Sequence, residues 1–474
     1  MEPDTIFMQI SFFGAAGRVT GSKHLITTEQ GKRILLDCGL FQGEGQEGNE
    51  LNRHFGFDPH TIDHVIMSHA HIDHSGLLPR LVREGFSGPI HCNEPTRDLL
   101  SIMLMDSAKI QESDLKHVNK RRLERGLPEL EPLYDAEDVR QVMRQIEIMP
   151  EHSDYWDLCE GVAVRSSVNA HILGSVALTL AIQDGGREKK LTFTGDIGRP
   201  GDHILRGPEA IPQSDILICE STYGDRLHED ESDAEAHLLR IVKETCVERS
   251  GKLIIPAFSI DRTQELIYML DRLAFAKKLP SIPVYVDSPL SVNATEVMSK
   301  HRQCFNAEIL DYITRDGDPF GFPNLHYISK VEESKALNDN KGPAIIISAS
   351  GMAEAGRIKH HIKNHIEDPD STVLIVGYAT PNSLAGQLKA RSEKVRIFGD
   401  WHTILCRIEV MDSFSAHADY HEMLAYLSSQ DPNRVSQTYL VHGNERALQA
   451  WQSRLLDRGF RNITIAKHGQ TYEC

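Results

Sequence analysis

The sequence has no two cysteines at C-x-x-C spacing. Its eight thiols, Cys38, Cys92, Cys159, Cys219, Cys246, Cys304, Cys406 and Cys474, are scattered along 474 residues. A structural zinc site needs closely paired thiols, and a disulfide framework belongs to short secreted chains, so both are excluded. The thiols read as reduced and mostly buried, as in a cytoplasmic protein. No apolar run approaches the roughly 18 residues of a membrane helix, so no membrane partner is expected. Met1-Glu-Pro-Asp4 is acidic and leads straight into strand-like sequence, so no signal peptide is expected. Positive charge is also short: 51 Lys and Arg against 68 Asp and Glu give −17. That balance argues against a non-specific nucleic-acid sponge while leaving room for a local basic groove. Linkers of low complexity and internal repeats are absent too. With 40% apolar and 25% charged residues the chain reads as globular, and its length implies two or three domains.

Histidine, by contrast, is plentiful: 24 residues. Imidazole is the commonest metal ligand in proteins. The surrounding grammar is strand-rich at first, with a hairpin from His24 to Asp37 and short strands at His64–Ser68, Val162–Asn169, Ala177–Ile182 and Lys190–Thr194. Thr96 to Glu147 has helical spacing, broken at Gly126-Leu-Pro128. From about Asp215 strands alternate with helices (Ile216–Cys219, Leu253–Pro256, Val284–Asp287, Ala344–Ser348 and Val373–Val376), which predicts a parallel doubly wound sheet. The tail returns to short units. The expected organisation is α/β, with one domain inserted in another: residues 1–214, an insert over 215–407 and a return over 408–474.

The strongest chemical signal is His69-Ala-His71-Ile-Asp73-His74, directly after a strand. In an extended loop, residues two apart project to one side, so His69 and His71 can share an ion. Asp73 and His74 begin a helix and aim at a second point. Two metals roughly 3.5–4 Å apart can share one hydroxide, a nucleophile near neutral pH. Further donors stand at strand ends: Asp37, His171, Asp196 and His442.

Together with Leu36-Asp37-Cys-Gly39, His171 and Phe193-Thr-Gly-Asp196, this motif resembles the metallo-β-lactamase superfamily. Cys219-Glu220-Ser-Thr-Tyr-Gly224, Asp412-Ser-Phe-Ser-Ala-His417-Ala-Asp419 and Leu440-Val-His442-Gly-Asn444-Glu445 resemble motifs A, B and C of its β-CASP branch, the nucleases of RNA and DNA processing. The opening loop Gly14-Ala-Ala-Gly17-Arg-Val-Thr-Gly21-Ser22 is similar to the branch's own, and its spacing does not fit a G-x-G-x-x-G dinucleotide fingerprint. The resemblance spans nearly the whole chain. It implies an αββα metallo-β-lactamase sandwich with an inserted parallel α/β β-CASP domain. It further implies one metal on His69, His71 and His171, a second on Asp73, His74 and His442, and Asp196 bridging. Zn2+ is the expected ion at both sites, and nitrogen and oxygen ligands also accept Mn2+ or Fe2+. The implied catalytic set is Asp37, Asp73, Glu220 and His417. In it Asp37 orients ligands, and Glu220 holds His417 as the general acid for the leaving oxygen. Attack by the bridging hydroxide would leave a 5′-phosphate and a 3′-hydroxyl.

Within the insert, Ser350, Gly351 and a helix N-terminus at Ala353 offer donors for a phosphate of the RNA partner, with charge from Arg357 and Arg262. Asp261 occupies a place where relatives commonly carry glycine, and Ala379–Gly386 is looser than the usual Gly-rich version. Lys116–Arg125 is the most basic stretch and reads as a solvated helix face. A histidine at motif C points to the RNA-processing, cleavage-and-polyadenylation-specificity-factor-like members rather than a DNA nuclease. A small-molecule hydrolase of the lactamase or glyoxalase type has no need of Glu220, His417 or the insert. A binding-only relative would have lost metal ligands. No KH-type extension precedes the first motif, so a compact prokaryotic, cytoplasmic form is expected, with homodimerisation left open.

Overall fold

The computed structural model describes residues 7–43, 45–150, 154–228, 234–377, 379–411 and 415–474, and of residue 117 the backbone alone. The acidic start Met1–Asp4 and the first part of motif B, Asp412–Phe414, therefore lie outside the described residues. The chain forms two compact units: Met1–Gly201, Gly207–Leu227 and His417–Cys474 in one, and Asp202–Arg206 with His228–Ala416 in the other.

The first unit contains two seven-stranded sheets among the described residues. One runs Gln470–Glu473, Gln9–Phe12, His24–Thr27, Arg33–Leu36, His64–Ile66, Ile90–Cys92 and Ile146–Ile148 in spatial order. The other runs Ile463–Ile465, Gln437–Leu440, Ile216–Cys219, Arg187–Phe193, Val176–Asp184, Val162–Val168 and Trp156–Cys159. Strand alternation sorts their side chains to two faces. Ile216, Ile218 and Tyr439 join Phe12, Ile34 and Leu36 in the core between the sheets. Leu217, Cys219 and Leu440 point the other way, onto Met423, Leu448 and Trp451 of the C-terminal helices. Helices Leu78–Arg83, Glu94–Leu123 and Ala136–Gln145 pack on one another and complete the αββα sandwich.

The helical stretch expected through Glu147 ends sooner. Ile146–Ile148 pairs in parallel with Ile90–Cys92, so its alternating tail is strand. The basic stretch is the exposed end of helix Glu94–Leu123, where Lys116 pairs with Glu112 at 3.1 Å.

In the second unit a six-stranded parallel sheet runs Leu325–Tyr327, Val284–Val286, Ala344–Ser348, Lys252–Pro256, Thr372–Val376 and Arg407–Met411. Its central strands are buried along their whole length, as a sheet covered on both faces requires. The boundaries expected at 215 and 407 are both displaced. Ile216–Cys219 pairs with Leu191–Phe193 and with Gln437–Leu440, so it is a sandwich strand. Arg407–Met411 pairs with Thr372–Val376 and stays in the inserted sheet. Asp202–Arg206 also joins the second unit, where the Arg206 N–H donates to the Cys304 carbonyl at 3.0 Å.

Candidate metal centre

The histidine-rich loop begins two residues after strand His64–Ile66, and helix Ile72–Ser75 starts inside it. The other donors stand just past their own strands, where the backbone turns sharply. Asp37 and His442 adopt positive φ (59° and 51°), as do Ala170 before His171 and Gly195 before Asp196 (58° and 55°). Such conformations cost about 1–3 kcal/mol each for residues other than glycine, and persist where the surroundings enforce them.

These turns bring seven side chains together. His69 Nε2 and His171 Nε2 lie 3.2 and 3.1 Å from His71 Nδ1. Asp196 Oδ2 is 3.6 and 3.5 Å from the same His69 and His171 nitrogens. On the other side Asp196 Oδ1 is 3.3 Å from His74 Nε2, which is 3.3 Å from His442 Nε2. Asp73 Oδ2 lies 3.5 Å from His442 Nε2. One buried carboxylate thus has an oxygen in each of two donor groups, His69–His71–His171 and Asp73–His74–His442.

Four groups that do not face the centre fix the rings that do. Asp37 Oδ2 holds His74 Nδ1 at 2.7 Å, which leaves Nε2 for the centre. The Ser68 N–H and Oγ–H both donate to Asp37 at 2.7 Å, and Ser68 Oγ is 3.0 Å from His69 Nδ1. Thr222 Oγ1 is 2.9 Å from His442 Nδ1. The Asn169 amide donates to the Thr194 and Asp196 carbonyls, fixing the strand end that carries the shared carboxylate. Ser68, Asn169 and Thr222 were not legible as site residues. Their one sequence signal is position, Thr222 within motif A and Ser68 and Asn169 beside a donor motif, and their targets lie up to 220 residues away.

Beside the centre, His417 Nδ1 lies 3.3 Å from Glu220, and its ring centroid is 4.4 Å from that of His171, the two planes tilted by 46°. Glu220 is itself pinned by the N–H groups of Ile197 and Thr222. Burial disfavours a charged His417, but the facing Glu220 carboxylate overrides it and raises the pKa to about 9. His69 and His171 are driven well below the usual imidazole range, first by burial and then by neighbouring histidines, which favours the neutral form that a metal ion requires. Asp196 resists burial because His442 and His74 hold it ionised.

The donors suit metal ions. They are nitrogen and oxygen only, and the Asp196 Oδ1 atom, fully buried, accepts no hydrogen bond among the described residues. An unsatisfied buried carboxylate oxygen facing bare imidazoles is costly without a cation.

The four residues expected to hold substrate lie in the second unit, and two are committed elsewhere. Arg357 is drawn onto Asp287 Oδ1 at 2.7 Å and onto the carbonyls of Ile328 and Ser329, so its charge is neutralised within the fold. Arg262 is 5% exposed and ion-paired with Glu265. Ser350 and Gly351 lie in a turn with Gly351 against the Phe258 ring. The helix expected from Ala353 begins at Ile358, because Ala353 and Gly356 have φ of 56° and 80° and cannot continue a helix.

The metallo-β-lactamase superfamily model matches residues 17–155, the β-CASP domain model 263–388, and the Zn-dependent metallo-hydrolase RNA specificity domain model 401–465. Ribonuclease TTHA0252 of Thermus thermophilus is 33% identical over 98% of this chain and 99% of its own length. The RNase J-like protein of Methanocaldococcus jannaschii is 30% identical over 88% of this chain and 89% of its own. Transcription termination factor FttA of Methanosarcina mazei is 27% identical over 93% of this chain and 68% of its own. A solved protein of unknown function from Enterococcus faecalis V583 shares the fold, with TM-score 0.52 and 13% identity over 99% of this chain and 100% of that one. With the donor geometry in place and a full-length relative at this identity, the chain belongs to the β-CASP metallo-β-lactamase family of RNA nucleases.

Proposed function

We propose that the protein is a two-metal ribonuclease that hydrolyses phosphodiester bonds to 5′-phosphate and 3′-hydroxyl ends. The observation that carries this reading is the division of Asp196 between two donor groups, with the His417–Glu220 pair alongside. Zn2+ ions on His69, His71, His171 and on Asp73, His74, His442, with Asp196 between them, would supply a nucleophilic water and neutralise charge on phosphate oxygens. The residues do the rest. Asp37, Ser68 and Thr222 hold ligand rings in one tautomer, the kind of support worth about 10–100-fold in metal affinity or activity. Glu220 fixes Nδ1 of a protonated His417, and Nε2 is the atom that carries the proton to be delivered. As water attacks phosphorus the P–O3′ bond breaks, and the Nε2 proton passes to the departing 3′ oxygen.

The fold alone would also suit a small-molecule hydrolase, but the Glu220–His417 pair supplies a proton donor that such a reaction does not require. The test incubates 5′- and 3′-labelled RNA and matched DNA with the purified protein, with and without chelator. RNA cleavage lost with chelator is expected, and its absence overturns the reading. His417→Ala should slow turnover about 10²–10⁴-fold with metal content unchanged. An emptied centre in that variant would remove the proton-donor assignment.

A further inference from the structure

Lys23 is a long cation at 0% exposure, with carbonyls and an aromatic ring as its neighbours. Its Nζ donates to the Gly21 carbonyl at 2.9 Å and the Gly39 carbonyl at 2.7 Å, and lies 4.2 Å from the centroid of the Phe41 ring. Two carbonyls and a π face satisfy the three N–H groups of an ammonium. Burial pushes its pKa down to about 7. A buried charge that no reaction step uses is expensive to keep, so its place in the fold asks for a reason.

The two segments it ties together converge on one side of the metal centre. Gly21 ends the loop Gly14–Ser22, and that loop makes backbone bonds to ligands of the second donor group. The Ser22 N–H donates to the Asp73 carbonyl at 2.8 Å, and the His442 N–H donates to the Ala15 carbonyl at 2.6 Å. The Gly443 N–H adds a bond to the Arg18 carbonyl at 3.2 Å. Gly39, the other segment, bonds through its N–H to the Ser22 carbonyl at 2.9 Å, and its neighbour Cys38 donates to the His74 carbonyl at 2.7 Å. Gly39 also sits so close to Asp73 that a Cβ there would lie 1.6 Å from the Asp73 carbonyl oxygen. All three members of the second group, Asp73, His74 and His442, therefore hang on the two strips of backbone that Lys23 joins. The first group is braced by other residues. Ser75 Oγ donates to the Ala70 and His71 carbonyls, and the Asn169 and Ser175 turn carries His171.

We infer that Lys23 is a positioning residue for one half of the centre: its ammonium cross-links the Gly14–Ser22 loop to Gly39 and thereby sets the Asp73–His74–His442 metal site, leaving the His69–His71–His171 site independent of it. This rests on the two-metal reading above. Removal of the cation would leave the loop joined to Gly39 by the Ser22 carbonyl bond alone, so that the backbone holding Asp73 and His442 loosens while the first site keeps its own braces.

The test is Zn2+ uptake by metal-stripped full-length protein, measured by elemental analysis and by competition with a chromophoric chelator, for the wild type, Lys23→Met and Lys23→Ala. Two tight sites are expected in the wild type. Both variants should keep one site unchanged and bind the second about 10–100-fold more weakly, the usual effect of losing a supporting group. In Lys23→Ala, methylammonium should restore part of the second site by refilling the carbonyl and Phe41 cage, which no general loss of stability would permit. Circular dichroism and size-exclusion profiles identify the folded fraction on which the measurement is made. Equal loss at both sites, or two unchanged sites, overturns the role of Lys23 while leaving the two-metal reading intact. Fewer than two sites in the wild type overturns the two-metal reading itself, and the inference with it.

Discussion

Each unit of this protein contains a buried aspartate immediately after a parallel-paired strand, with a histidine 2.7 Å away: Asp37 with His74 in the sandwich, Asp287 with His361 in the insert. Their surroundings separate them. Asp287 also receives Ser334 at 2.6 Å and Arg357 at 2.7 Å, and His361 first, then these two, overcome burial to pull its pKa below the usual carboxylate value. Around Asp37 no guanidinium enters among the described residues. Burial dominates and its pKa is raised, while His74 turns its second nitrogen toward Asp196 and His442. The same pair is a closed knot where an arginine completes it, and part of a candidate metal cluster where imidazoles and carboxylates face one another. The partners of the pair decide its use.

The largest blow to that contrast is Asp196→Ala, which removes the carboxylate shared by both donor groups. RNA cleavage should fall to background and bound Zn2+ should drop, with the far-UV circular dichroism spectrum retained. Full metal content in this variant would show that the shared carboxylate is dispensable. Thr222→Val should do less: loss of the hydroxyl at His442 Nδ1 weakens one of two Zn2+ sites about 10–100-fold in a competition titration. Least affected in function is Arg357→Met. It leaves Asp287 without its guanidinium, and because Arg357 is 19% exposed the cost should lie at or below the low end of the roughly 3–5 kcal/mol seen for broken buried pairs. Denaturant unfolding should report that loss, with Zn2+ content unchanged. Undiminished stability with a raised KM for RNA would return Arg357 to the phosphate-binding role first read from its sequence.

That reversal shows where sequence reading stops. Metal donors at strand ends are legible because residue type, spacing and position after an apolar run are all local. Arg357 looked available because its partner, Asp287, lies 70 residues earlier. Arg262 differs, since its ion-pair partner Glu265 is three residues on and only the burial of the pair is a tertiary fact. The boundary at 215 went astray for a related reason. Ile216-Leu-Ile-Cys219 is a continuous apolar run like the strands of the inserted sheet, and nothing local says which sheet takes it. The helix start after Ser350 was misplaced because a positive φ at Ala353 has no signature in an alanine.

The division of the sandwich along the chain has a consequence in time. His69 through Asp196 precede the insert, whereas His417 and His442 follow it. At about 5–20 residues per second, a ribosome spends on the order of ten to forty seconds between Asp196 and His417. Throughout that interval the emerging chain has one donor group complete and the other lacking His442, and Glu220 is still without His417. Until His442 has been made the donor cluster is incomplete, so its assembly waits on the C-terminal return.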